Sequence, residues 1–235
     1  MNAHLFGHHR WTLESWLTNG RVMRSNQAMH AVVFLAAFVV AVTAISPLRW
    51  PWYLVLPLAA YALVVAVWPR LRRSVPRLTV GRMSGRALLA AVVLAAATVI
   101  ALVSFHVLVR PDVSGLAVGL PVAAFSSLLL AGVCFSTINA ALEELIFRGI
   151  LWEATAAEWN QGIALVATSI FFGLGHLHGY PPGPLGAVLA GVFGSALGLL
   201  RLWTGGLGLA ILVHICADAT IFTLLFRPEA LGAAG

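Results

Sequence analysis

Apolar runs of membrane-spanning length follow one another along almost the whole chain, and few architectures can accommodate that. A helix rises ~1.5 Å per residue, so about 17–25 apolar residues cross a hydrocarbon core. Runs of this kind occupy 28–45, 52–68, 87–109, 116–159, 163–178, 187–203 and 207–226. The chain is therefore expected to be all-α, a polytopic membrane bundle of seven or eight transmembrane helices. The number turns on 116–159, which has no proline after Pro121 and is too long for one ordinary span. Either it is one long helix that protrudes, or it breaks near Phe135–Thr137, where Ser136 or Thr137 would cap a new helix. Trp159–Gly162 reads as a turn, and Gly191, Gly194 and Gly198 are spaced for close helix packing.

Composition agrees. Of 235 residues, 60% are hydrophobic and 9% charged, with a mean hydropathy of +0.94; a soluble domain carries about 25% charged residues. The net charge of +6 comes entirely from arginine. The segment 69–86 holds Arg70, Arg72, Arg73, Arg77, Arg82 and Arg86 and no acid. The positive-inside rule places it in the cytoplasm, with the N-terminus and its Arg10, Arg21 and Arg24 on the same side. Topology explains the basic charge, so a nucleic-acid partner is not expected; the lipid bilayer is. The first apolar run reads as an uncleaved span, since no small-residue cleavage site follows it. Trp50 and Trp52 suit an interface. The expected organisation is a tail over 1–27, three accessory helices over 28–115, a core over 116–226 and a tail over 227–235. His4, His8 and His9 read as a solvated cluster, and Cys134 and Cys216 as buried free thiols.

Against this background the polar residues of the second half stand out. Glu143 and Glu144 are adjacent inside an apolar run, with Arg148 just after them. A carboxylate in hydrocarbon is expensive unless paired or facing a wet cavity. Glu144 and Arg148 are four apart and can pair; Glu143 is rotated about 100° away and stays available. His176 lies near the end of its span, and His214 and Asp218 share a face of the last one. Glu143 and His176 lie at similar distances, about 16 residues, from the turn near Asn160, so an antiparallel hairpin levels them. His214, counted across 187–203, falls short of that level. His106 and His178 read as membrane histidines bonded to neighbouring helices.

Structural glue, a proton or ion pathway, and hydrolysis all use buried carboxylates and histidines. A desolvated carboxylate can act as general base on water, with a histidine sharing the proton. A second histidine with an aspartate can orient a metal or donate to an oxyanion. No H-E-x-x-H zinc helix is present, and the serine of Gly194–Gly198 is misplaced for a G-x-S-x-G elbow.

The ordered set Glu143-Glu144-Leu-Ile-Phe-Arg148, Phe172-Gly-Leu-Gly-His176 and His214-Ile-Cys-Ala-Asp218 resembles the CPBP family, the CAAX proteases and bacteriocin-processing enzymes also called Abi. The resemblance covers about 120–226. It implies an intramembrane endopeptidase that acts on a membrane-anchored peptide or protein, with a non-proteolytic immunity, scaffold or transport protein as the alternative. It implies that Glu143 and His176 activate the water, that His214 and Asp218 stabilise the oxyanion, and that Glu144 and Arg148 fix helix and charge state. A metal-dependent version would hold Zn2+ with Glu143, His176, His214 and Asp218, and the resemblance leaves both versions open. Many members carry Asn where this chain has Asp218.

Overall fold

The computed structural model describes residues 13–45, 51–76, 78–113 and 125–225. The His4, His8 and His9 cluster, Arg10, the turn over 46–50 with Trp50, Arg77, Pro121 and the 227–235 tail lie outside the described residues. Every described element is a helix or a connection. Among the described residues, four helices are long and apolar enough to cross a membrane, and three further apolar helices are shorter.

Helix α1 (Leu13–Ala44) starts well before the apolar run and continues through the polar end of the tail. It forms a hairpin with α2 (Trp52–Val67). Phe34 meets Tyr61 edge-to-face at 6.2 Å, and the pair joins Leu54, Ile146 and Ile150 in one buried cluster. His30, absent from the sequence reading, is fully buried and bonds Tyr61 Oη at 2.8 Å and Ser74 Oγ at 3.2 Å. It ties the hairpin to the connection that follows α3 (Pro69–Arg73), the short helix carrying Arg70, Arg72 and Arg73.

The remainder of the basic segment is extended and backs onto the far end of the chain. Arg82 N donates to Thr204 O, Leu207 N to Thr79 O and Gly208 N to Val80 O, at 2.8–2.9 Å. Gly81 permits this: its φ is +84°, and a Cβ there would lie 2.8 Å from Gly206 N. Helix α4 (Gly85–Val109) begins at Ser84, whose hydroxyl accepts from Ala87 N.

From Phe125 on, the 116–159 stretch runs through Phe135–Thr137 without a break. Helix α5 (Phe125–Glu144) passes into a π-helical turn, Leu145–Leu151, and on into α6 (Trp152–Glu158). Ser136 does not cap anything; its hydroxyl donates back to Gly132 O at 2.7 Å, the usual way a helix interior accommodates serine. Asn160 caps α7 (Gln161–Gly175) by accepting from Ile163 N at 2.9 Å. Helix α8 (Gly183–Thr204) ends on Gly205 in the left-handed region, and α9 (Gly208–Leu225) completes the bundle.

Large apolar side chains cover the outside: Leu108 is 80% exposed, Leu89 64% and Val192 64%. Water would penalise such a surface, and lipid does not. The same logic corrects one expectation. Cys134 and Cys216 are free, but both are exposed on outer helix faces instead of buried. In a membrane bundle an apolar position is as well served by lipid as by the core, so apolar sequence context does not predict burial. His178 also departs from expectation, because α7 ends at Gly175 and His178 sits exposed in the following turn. His106 bonds Tyr180 Oη of that loop at 2.9 Å, not a neighbouring helix.

Helices α7 and α8 pack through glycine. A Cβ on Gly173 would lie 2.6 Å from Ala187 O and 3.2 Å from Gly191 Cα, whereas one on Gly175 meets nothing within 4 Å. Gly173→Ala is therefore expected to force the pair apart and cost about 1–3 kcal/mol, while Gly175→Ala is neutral or slightly stabilising. Thermal unfolding of the two variants in detergent checks this; equal midpoints would contradict the close packing.

Candidate active site

Six side chains named from sequence converge at the centre of the second half, from α5, the π-helical turn, the end of α7, and α9. Glu144 is fully buried, and its Oε1 accepts from Arg148 Nη1 and from His214 Nδ1, both at 2.8 Å. Arg148, also fully buried, lies within the π-helical turn and sends Nη2 to Gly194 O at 2.8 Å. Its guanidinium covers the Phe172 ring at 4.5 Å. Gly194 leaves the room: a Cβ there would stand 3.0 Å from Arg148 Nη2 and 3.2 Å from Phe172 Cδ1.

His214 reaches the site although simple counting leaves it short: its ring lies against Phe172 and Phe193, 5.7 and 5.4 Å between centroids, and its Nδ1 bonds Glu144.

Glu143 turns away from this pair, as the helical rotation requires, and faces both imidazoles. Its Oε2 lies 3.9 Å from His176 Nε2 and 3.6 Å from His214 Nε2. That oxygen is buried and has no hydrogen-bond partner in the protein. The far nitrogens are both occupied. His176 Nδ1 bonds Phe172 O at 2.8 Å, so that nitrogen carries the proton and Nε2 presents its lone pair. His214 Nδ1 faces a carboxylate that can only accept, so it too is protonated there. Phe172 organises the pair, 4.4 Å from the His176 ring and 5.7 Å from the His214 ring between centroids, while Phe193 meets His214 edge-on at 5.4 Å.

Asp218 Oδ1 lies 3.8 Å from His214 Nε2. Its Oδ2 accepts from Asn139 Nδ2, which also donates to Glu143 Oε1, both at 3.2 Å. Asn139 was missed in the sequence. Its signal was available: an amide one helical turn before Glu143 in an apolar helix has to find polar partners. Three carboxylates thus meet one guanidinium, two imidazoles and one bridging amide.

The four residues named for a metal were tested as a ligand set. Among the described residues no three or more His, Cys, Asp and Glu side chains are grouped to hold an ion. The nearest cross pairs stand 3.6–3.9 Å apart, wider than the about 3.3–3.4 Å between ligands of a tetrahedral zinc at 2.0–2.1 Å. As placed, the set does not fit a metal, and no step below uses one.

His176, His214 and Asp218 line a cavity of about 230 Å³ among α4, α8, α9 and the α7–α8 loop. His176 keeps 22% of its side chain exposed, against 3% for His214 and 5% for Asp218. The larger cavity, about 400 Å³ and apolar, lies beside α2 and touches none of these groups.

Fold and site together define a helical membrane protein with a carboxylate–imidazole centre sealed inside the bundle and opening on a small apolar cavity. Residues 124–220 match the family model of Type II CAAX prenyl endopeptidase Rce1-like proteins, a likeness consistent with the CPBP family. The match supports an intramembrane endopeptidase in general. No curated protein and no solved structure matches the chain.

Breaking the buried pair from one side leaves an uncompensated charge, at a cost of about 3–5 kcal/mol. Arg148→Met is expected to destabilise by that order, and the double variant Glu144→Leu/Arg148→Met to recover most of it. Detergent unfolding midpoints check this; a single variant as stable as the parent would show that the pair does not carry the core.

Proposed function

We propose that the protein is an intramembrane endopeptidase that hydrolyses a peptide bond of a membrane-anchored protein or peptide, using a water activated by Glu143 and His176. The observation that carries this reading is the unpartnered Glu143 Oε2 facing two imidazole nitrogens beside the cavity. A gap of 3.9 Å between Glu143 Oε2 and His176 Nε2 is too long for a direct bond and suits a bridging water.

Glu143 takes the proton of that water as hydroxide adds to the carbonyl carbon. The developing oxyanion is met by an N–H at His214 Nε2, on a ring that Glu144 holds from behind at Nδ1. When the tetrahedral intermediate collapses, the C–N bond breaks and the proton held by Glu143 passes to the leaving amine, with His176 as relay. Arg148 keeps Glu144 an acceptor, so His214 stays oriented. Asn139 holds Glu143 and Asp218 in register and gives each a donor. Asp218, where many CPBP members carry Asn, lies 3.8 Å from His214 Nε2 and flanks it with Glu143.

The arginines of 70–86 support a cytoplasmic position for that segment and for the N-terminus. Helices α1, α2 and α4 then act as an accessory layer around the 116–226 core.

Glu143→Gln and His176→Ala are expected to lower cleavage of a membrane-anchored reporter peptide by about 10²–10⁴-fold while inserting and folding as the parent does. Chelator treatment is expected to leave the rate unchanged. Substantial cleavage by Glu143→Gln would refute the role assigned to Glu143, whereas no Glu143-dependent cleavage by the parent would favour an immunity, scaffold or transport role.

A further inference from the structure

Helix α4 lies outside the 124–220 segment, yet it forms one wall of the cavity on which the site opens. Near its start α4 is closed against α8: Ala87 and Ala91 are buried with Leu197 and Leu200. Near its end it is closed against the α7–α8 loop, through the Phe105–Tyr180 ring contact at 6.1 Å and the His106–Tyr180 bond at 2.9 Å. Between these closures the helices separate. Ala97, Thr98 and Ala101 face the cavity, opposite Leu189 and Val192 on α8, and Val192 is 64% exposed. The result is a side window, closed above and below, that leads from the lipid face to His176, His214 and Asp218.

We infer that Ala97, Thr98 and Ala101 of α4 form the specificity wall of the site, admitting one small or medium apolar side chain of the substrate next to the bond that is cut. This rests on the endopeptidase reading above and adds which residue of the substrate is selected, and by what. The wall is smooth because two of its three members are alanine. It is apolar in effect because the Thr98 hydroxyl is already bonded to Leu94 O at 2.8 Å. The cavity, about 230 Å³, falls below the ~300–1,000 Å³ of pockets that take drug-sized ligands. It suits a side chain with its flanking backbone, not a bulky lipid group. A larger residue at 101 would project into the space the substrate side chain needs. A larger residue at Ile100, which is 66% exposed, would project into lipid.

The test uses the full chain in detergent or proteoliposomes with membrane-anchored reporter peptides that differ at one position beside the scissile bond: Gly, Ala, Leu or Phe. The parent is expected to prefer Ala and Leu to Phe. Ala101→Phe is expected to lower the Leu-to-Gly cleavage ratio by about 10-fold or more, and Ile100→Phe to leave it unchanged. An unchanged ratio in Ala101→Phe, or the same shift in Ile100→Phe, overturns the assignment. A second measurement is independent of turnover. In the Glu143→Gln background, a reporter carrying photoleucine at that position is expected to crosslink to α4 at position 98, and at position 100 not. Crosslinking at neither position, or equally at both, also overturns it. If Glu143→Gln itself cleaves, the endopeptidase mechanism fails; if cleavage depends on Glu143 but the ratio does not move, only the specificity wall fails.

Discussion

The Glu144–Arg148 pair is the constraint on which the rest of the site depends. Both groups are completely removed from solvent, and each ion gives up several kcal/mol of hydration to be there. Such a pair needs further partners to be tolerable, and it has several here, although Glu144 Oε2 and Arg148 Nε bond nothing in the protein. Arg148 reaches across to the Gly194 carbonyl and lies over Phe172; Glu144 accepts from His214. Satisfying the pair therefore ties together α5, the π-helical turn, α7, α8 and α9. The same bonds that make the charge affordable fix the orientation of an imidazole.

Other features follow from bringing a guanidinium so deep. The glycines of α8 allow close approach: Gly191 faces Gly173, and Gly194 lies against Arg148 and Phe172. The π-helical turn begins immediately after Glu144 and contains Arg148; such turns widen a helix locally and recur at functional sites. At the far end, Arg201 pairs with Glu153 and stacks on Trp152 at 4.5 Å, holding α6 to α8. The strand-like backbone bonds from Thr79–Arg82 to Thr204–Gly208 then fasten the α8–α9 turn.

Much of this was legible in the chain, and the reason is physical. Hydrocarbon makes every buried polar group expensive, so Glu143, Glu144, His176, His214 and Asp218 stood out against apolar neighbours, and helical periodicity separated the two glutamates correctly. What was not legible depended on geometry that periodicity lacks. The continuity of α5 through Ser136 was undecided, because serine caps a helix or bonds back within it with equal ease. His214 counts as short of the level of His176 and yet meets the same Glu143 oxygen, because residue counting fixes a Cα along one axis and says nothing of where a side chain reaches. Cys134 and Cys216 were expected inside, because in a membrane the apolar residue has two places to go. His30 and Asn139 were overlooked as single polar residues, although each closes a contact between distant segments.

Adjacent glutamates also explain how one helix carries two incompatible demands. A carboxylate that anchors a guanidinium commits an oxygen to it; one that works on water needs a free oxygen facing a proton carrier, and although each glutamate keeps an unbonded Oε2, the one on Glu143 faces the two imidazoles. About 100° of rotation between neighbouring residues sends them into different surroundings with no change of backbone. Glu144 meets Arg148 and His214, while Glu143 keeps Oε2 unbonded toward both imidazoles and is steadied at Oε1 by Asn139. Asn139 is what lets Asp218 join this group. Without its amide, Glu143 and Asp218 would be two carboxylates converging in a low-dielectric interior with only His214 Nε2 between them, 3.6 and 3.8 Å away, too far to hydrogen-bond either.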